Sequence, residues 1–211
     1  MPALLPRSHT PKGTRARATI LAAAERLLVL RGFHGTSMRD IAEAAGLPLA
    51  TVVYHFAKKE QLYAAVLVDI GDELGASLEL ALEGDERPWP ARLDGLSRSL
   101  VAWTKRSPGR VKLLLRELLD NPARVAKAER LPLAPVLHRL SDFAEQGMRA
   151  GAFRRAHAET AVLHLVGAVS YVVAAQPTVR RIVGPTRDRQ HSSSYEREVT
   201  ALARRMFLAD A

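Results

Sequence analysis

The sequence predicts an all-α fold in two parts, a small three-helix domain followed by a larger helical body. Apolar residues recur at helical spacing along nearly the whole chain, and no run alternates with the period of two that a strand needs. Ala and Leu abound while aromatics make up only 5% of 211 residues, which favours helices over a β-sandwich. Prolines at 88, 90, 108, 122, 132, 135, 177 and 185 punctuate the second part, each expected at a helix start or boundary.

Residues 1–13, with three prolines, a glycine and basic side chains, read as a flexible basic arm. Thr14 is placed to cap a first helix, in which Ile20, Ala24, Leu27 and Leu28 share one face. Gly32 and Gly35 end it. Ser37 and Asp40 have the spacing of a capping box, so a second helix is expected from Met38, with Ile41 and Ala45 turned inward. Gly46 supplies the left-handed conformation of a tight turn, and Leu47 fills the angle behind it. Pro48 has the fixed φ of a first helical position, and the helix it opens, about 48–55, buries Val52 and Phe56. Short helix, tight turn and second short helix make a helix-turn-helix over roughly 37–56.

A long helix is expected from about 59 to 82. Further helices are expected at 89–106, 109–120, 123–130, 133–150, 158–176 and 195–209, with a polar loop from Gly184 to Ser194. The domains follow as the arm at 1–13, the helix-turn-helix domain at 14–64 and the helical body at 65–211.

Charge narrows the partner. The chain carries a formal net charge of +9 and a pI near 10.4, and residues 1–64 hold nine Lys/Arg against four acids, a local net of +5. Such a surplus attracts a polyanion, either nucleic acid or an anionic membrane face. Cysteine is absent, which removes disulfides and thiolate chemistry. The N-terminus shows no signal-peptide pattern, and the apolar run 161–175 is short for a bilayer span. A cytoplasmic protein with no membrane partner is expected. No phosphate-loop, nucleophile-elbow or zinc-protease motif occurs, so no catalytic residue, cofactor or metal site is expected. His157 and His164 can share a helix face but lack a carboxylate at ligand spacing. Two other classes stay open: a membrane-surface or scaffold protein using the basic arm, and a helical enzyme, for which Glu117 and Asp120 are the best carboxylate pair although they read as surface charge.

The order of motifs resembles the TetR family of bacterial regulators. The resemblance rests on Gly32-Phe33, Gly35-Thr36-Ser37, Ile41-Ala42, Ala44-Ala45-Gly46-Leu47, Thr51, Tyr54-His55-Phe56 and Lys59-Glu60-Gln61-Leu62. It implies a sequence-specific DNA-binding regulator, a homodimer on a double-stranded operator, acting as a repressor released by a small-molecule effector. It further implies that Arg39 reaches a base edge or phosphate, that Leu49, Ala50, Thr51, Val53 and His55 face the groove, and that Tyr54 and Lys59 meet backbone phosphates. The chain departs from the family pattern with Pro48, Ala50, Val53, Ala57 and Lys58, which leaves its reading surface unusually apolar. Phosphates and the arm, including Arg15 or Arg17, are then expected to carry much of the affinity.

In the helical body, Ala161, Leu165, Ala168 and Val172 line one face of a helix, and Val199, Leu202, Ala203, Met206 and Phe207 line one face of the last. The family resemblance reads these stripes as a two-fold, four-helix dimer interface, with intramolecular core as the other reading. Trp103, Arg116, Glu117, His138, His164 and Tyr171 are polar or amphipathic groups on largely apolar helices and are the candidate effector-pocket residues, with a neutral or hydrophobic effector expected.

Overall fold

The computed structural model describes residues 11–83, 86–120 and 131–208, which fall into two compact units, Met1–Val68 and Asp69–Ala211. Among the described residues there are nine helices: α1 (Pro11–Arg31), α2 (Met38–Ala45), α3 (Leu49–His55), α4 (Lys59–Leu82), α5 (Trp89–Arg106), α6 (Pro108–Asp120), α7 (Ala134–Arg149), α8 (Ala158–Val183) and α9 (Pro185–Phe207). The only β-type pairing described is an isolated antiparallel bridge between Phe153 and Leu208. The helix expected at 123–130 and most of the arm lie outside the described residues.

In the first unit, helical spacing brings Ile20, Ala23, Ala24 and Leu28 of α1 to one buried face. They share the core with Ile41 and Ala42 of α2, Val52 and Phe56 at α3, and Leu62, Tyr63 and Val66 of α4. The helix starts earlier than the arm reading implies. Pro11–Gly13 are already helical and Thr14 lies inside α1, because proline is well tolerated in a first turn. Pro48, conversely, stands one place outside its helix. With φ −57° and ψ 142° it is the N-cap, its carbonyl accepting from the amides of Thr51 and Val52.

The second unit is built around α8. One side of α8 (Ala158, Ala161, Val162, Leu165, Val169, Val173) is buried in a core shared with α5, α7 and α9. At one end Trp89, Phe143, Phe153 and Phe207 form an aromatic cluster with neighbouring ring centroids 5.5–5.7 Å apart. The Arg92 guanidinium lies 4.3 Å over Trp89 and donates to the carbonyl of Leu82. Arg154 ties the same end together, its amide donating to Phe207 O at 2.8 Å and its side chain to the carbonyls of Leu208 and Arg205.

Two expectations change here. Pro177 lies inside α8, which continues to Val183, rather than at its end. The carbonyl that Pro177 leaves without its usual donor is that of Val173, one turn earlier, and the helix continues past the proline through the exposed residues Gln176 to Arg181. The stretch after Gly184 is not a loop: Gly184, at φ 81°, breaks the chain between helices, and α9 starts at once with Pro185. Its polar first half shows no amphipathic period from which a helix could be read.

Gly147 marks the tightest approach in this unit. A Cβ placed there would lie 2.1 Å from a ring carbon of Phe153. Gly147→Ala is therefore expected to destabilise the protein by about 1–3 kcal/mol, as overpacking of a filled core does. The urea midpoint checks this; an unchanged midpoint would show that the ring moves aside freely.

Candidate nucleic-acid interface and ligand cavity

The helix-turn-helix of the first unit is assembled by local hydrogen bonds. Asp40 N–H donates to Ser37 Oγ at 3.1 Å while the Ser37 amide donates back to Asp40 Oδ2 at 2.8 Å, closing the capping box. The Ser37 hydroxyl also donates to Asp40 Oδ2, and this bond above all holds the Asp40 carboxyl below its ordinary pKa of 3.8. At the other end of α2, Gly46 sits at φ 64°, and the amides of Gly46 and Leu47 donate to Glu43 O and Ala42 O, the double bond of a Schellman turn. Arg26 reaches across to the Ala44 carbonyl. The turn delivers α3 with Val52 completely buried, so the remaining faces of this seven-residue helix point outward.

Leu49, Ala50, Val53 and Tyr54 are exposed, Tyr54 most of all at 72%, and Thr51 and His55 are half-buried. The rings of Tyr54 and His55 meet edge to face, with centroids 5.3 Å apart. Arg39 is exposed on α2. Arg15 and Arg17 are exposed on α1, and the Arg17 guanidinium lies 5.3 Å over the ring of Phe56. The residues expected to meet DNA thus lie on α2, α3 and α4 of one unit.

Lys59 is the departure. Its ammonium donates to the carbonyls of Phe33 at 2.8 Å and Thr36 at 3.0 Å and lies 4.2 Å over the Phe33 ring. A phosphate-binding cation would present its charge to solvent, whereas Lys59 turns it inward and fastens the loop between α1 and α2. Thr36, which is buried, donates its hydroxyl to Gly32 O at 2.9 Å, and Phe33 packs edge-on against Tyr63. The Gly-Phe-x-Gly-Thr segment is therefore a latch for the first unit. An exposed Lys58 stands next to it, and sequence inspection passed over that residue as a mere departure.

In the second unit α4, α5, α6, α7 and α8 enclose a cavity of about 120 Å³ lined by Leu74, Leu100, Trp103, Thr104, Leu115, Leu137, Leu140, Val166, Val169 and other aliphatic residues. No charged side chain lines it. Its hydroxyls are spent on their own helices, Thr104 donating to Val101 O and Ser170 to Val166 O. The Trp103 indole N–H is buried without a hydrogen-bond acceptor among the described residues. Of the six residues expected in an effector site, Trp103 lines this cavity. Glu117 is buried at 4%, not the surface charge it was read as, but outside the lining. Arg116, His138, His164 and Tyr171 are exposed on the chain, because helical phase carries them to the outer side of α6, α7 and α8.

The stripes expected at a dimer interface are also displaced. Ala161, Leu165, Val199 and Phe207 are buried in the chain's own core, with Ala168, Val172, Leu202 and Met206 half-buried beside them. The more aliphatic side of each helix faced inward. What α8 leaves outside is Leu163, His164, Gly167, Tyr171 and Ile182, a second stripe opposite the first. Among the described residues no group of three or more metal-ligating side chains comes together.

Two predictions follow from the head. Lys59→Met is expected to lower stability on the order of 2 kcal/mol, the scale of charge-assisted hydrogen bonds lost to carbonyls, while leaving the salt-dependence slope of DNA binding unchanged. A slope shallower by about one in filter-binding titrations would instead return Lys59 to the phosphates. Asp40, whose folded pKa is depressed, contributes stability that is whole above 3.8 and is lost as pH falls through its lower folded value. Urea midpoints taken from pH 5 downward should fall less steeply for Asp40→Asn than for the parent chain.

Comparison with known proteins agrees with both units. The family described as bacterial regulatory proteins, tetR family, matches residues 20–66, and the tetracyclin repressor-like C-terminal domain matches residues 91–202. The HTH-type transcriptional regulator RutR of Escherichia coli (strain K12) is 44% identical over 66 residues, 28% of this chain and 31% of that protein. The HTH-type transcriptional activator FasR of Mycolicibacterium smegmatis is 38% identical over 75 residues, 36% of this chain and 34% of its own length. RaaS, a transcriptional regulatory protein of Mycobacterium tuberculosis, is 34% identical over 113 residues, 50% of this chain and 53% of that one. The matches with RutR and FasR thus span about a third of those relatives. Among solved structures, a regulator of the tetR family from Rhodococcus RHA1 superposes with a TM-score of 0.69 at 24% identity, covering 93% of this chain and 99% of that one. The hemolysin II regulator HlyIIR superposes with a TM-score of 0.67 at 21% identity, covering 94% and 99%. With its helix-turn-helix segment matched and the C-terminal domain matching more than half of its length, the chain belongs to the TetR family of bacterial regulatory proteins.

Proposed function

We propose that this chain is a cytoplasmic, dimeric transcriptional regulator that binds a double-stranded operator through α3 and represses transcription until a neutral, apolar small molecule enters the cavity of the second unit. It is a regulator and not an enzyme. The observation that carries the reading is the outward face of α3, held by a fully buried Val52 in a segment of local net charge +5. A short helix presented on a cationic surface fits the major groove, where base edges are read. Arg39, Leu49, Ala50, Thr51, Val53, Tyr54 and His55 are the residues we assign to DNA. The division of labour follows: the first unit binds DNA, and the second binds the effector and pairs the chains.

Pairing is supported by the outer stripe of α8. By length and composition α8 could cross a bilayer, but its inner side is in the core, and Leu163, Tyr171 and Ile182 remain as an apolar face. A second copy laid across it about a two-fold axis would cover both faces at once. Repression supplies the output because a dimer seated on promoter DNA blocks polymerase without further contacts. The aliphatic lining supports a neutral effector, since a charged one would find no counter-ion in the wall. A cavity of about 150 Å³ accepts a benzene-sized body, so the space here suits a small ring or the end of a longer apolar molecule.

The tests separate the parts. DNA from upstream of the protein's own gene should be retarded in gel shifts, with affinity falling steeply as salt rises. Thr51→Ala with His55→Ala should reduce preference for that DNA over random sequence; equal loss on both would remove these two side chains from the readout. Leu163→Glu with Ile182→Glu should give folded monomers in sedimentation, and an intact dimer would move the interface elsewhere.

A further inference from the structure

The composition of α3 restricts what it can read. Leu49-Ala-Thr-Val-Val-Tyr-His55 contains no Arg, Lys, Asn, Gln, Asp or Glu, the side chains that make bidentate bonds to guanine or adenine or accept from cytosine. Its outward surface instead holds Leu49 at 38% exposure, Ala50, and Val53 at 44%. Val53 is i+4 from Leu49 and i+3 from Ala50, so it adjoins both on the helix surface and makes one apolar patch of the three. In the major groove, one feature of a base pair is apolar, the C5-methyl group of thymine.

We propose that Leu49, Ala50 and Val53 select the operator by packing on thymine methyl groups, so that the α3 half-site is read as a pattern of thymines, with cytosine and purines rejected for want of a methyl at that place. The occupant of this patch is duplex DNA because the surrounding surface is cationic: Arg39 is exposed on α2, Arg15 and Arg17 on α1, and Lys58 beside the start of α4. These charges hold the phosphates and give no sequence information, which leaves discrimination to the patch, with Thr51 and His55 as polar supplements. The inference rests on the proposed function, since it assumes α3 enters the groove.

Deoxyuridine tests it directly, since it removes the thymine methyl and leaves base pairing intact. An operator is first selected from random duplex DNA with the full-length protein, and each thymine within the protected half-sites is then replaced singly by deoxyuridine. Loss of one buried methyl is expected to weaken binding about fourfold at each contacted thymine. Val53→Ala should abolish the penalty at one of those positions while leaving the urea midpoint unchanged, because Val53 is exposed. A half-site bound selectively and with undiminished affinity when every thymine carries no methyl overturns the proposal while leaving the DNA-binding function standing. Penalties that persist unaltered in both Leu49→Ala and Val53→Ala overturn the assignment to this patch. Failure to enrich any sequence overturns the function and the methyl readout together.

Discussion

A helix of seven residues has no stability of its own in water, so the orientation of α3 depends on burying Val52 and Phe56 against α1 and α2. That packing works only if α2 ends where it does. The left-handed Gly46 and the paired amide bonds of the turn stop the helix, and the capping box fixes where it began. Two short helices are thereby set at a fixed register by a handful of local bonds, and the latch of Phe33, Thr36 and Lys59 closes the loop leading into them. Recognition is inherited from this small core. Buried side chains thus decide which side chains α3 presents outward.

The same economy explains why the head was legible and the body less so. Capping box, glycine turn and 3.6-residue periodicity are local rules, and Ser37, Asp40, Gly46 and Val52 obey them within a few residues of sequence. The bonds of Lys59 to the carbonyls of Phe33 and Thr36 gave no signal in the sequence, because those partners lie some two dozen residues away and an isolated lysine at a helix start looks like any phosphate ligand. In the body, α8 is apolar on two opposite sides. Periodicity announces a buried face without saying which neighbour buries it, so Ala161 and Leu165 could be read as interface when they are core. The polar groups His138, His164 and Tyr171 illustrate the converse: a polar residue on an apolar helix lies outside more readily than in a cavity, because burying it requires a partner.

Pro177 and the start of α9 show a third limit. Proline withholds one donor from a helix and does not by itself end it, as Pro177 within α8 shows. A polar run with no apolar face carries no periodic signal, so the helicity of the segment after Pro185 was not visible from the spacing of its residues. The aromatic cluster of Trp89, Phe143, Phe153 and Phe207 was equally hidden, since its members are brought together from four separate places in the sequence.

Trp103 has a further consequence. The chain has two tryptophans, one in the aromatic cluster and one in the wall of the cavity. Trp103 contacts whatever fills that space, while Trp89 is screened by phenylalanine rings and the Arg92 guanidinium. A body entering the cavity would change the surroundings of Trp103 and not the ring contacts of Trp89, so a shift in intrinsic emission would report filling of the cavity without any added label.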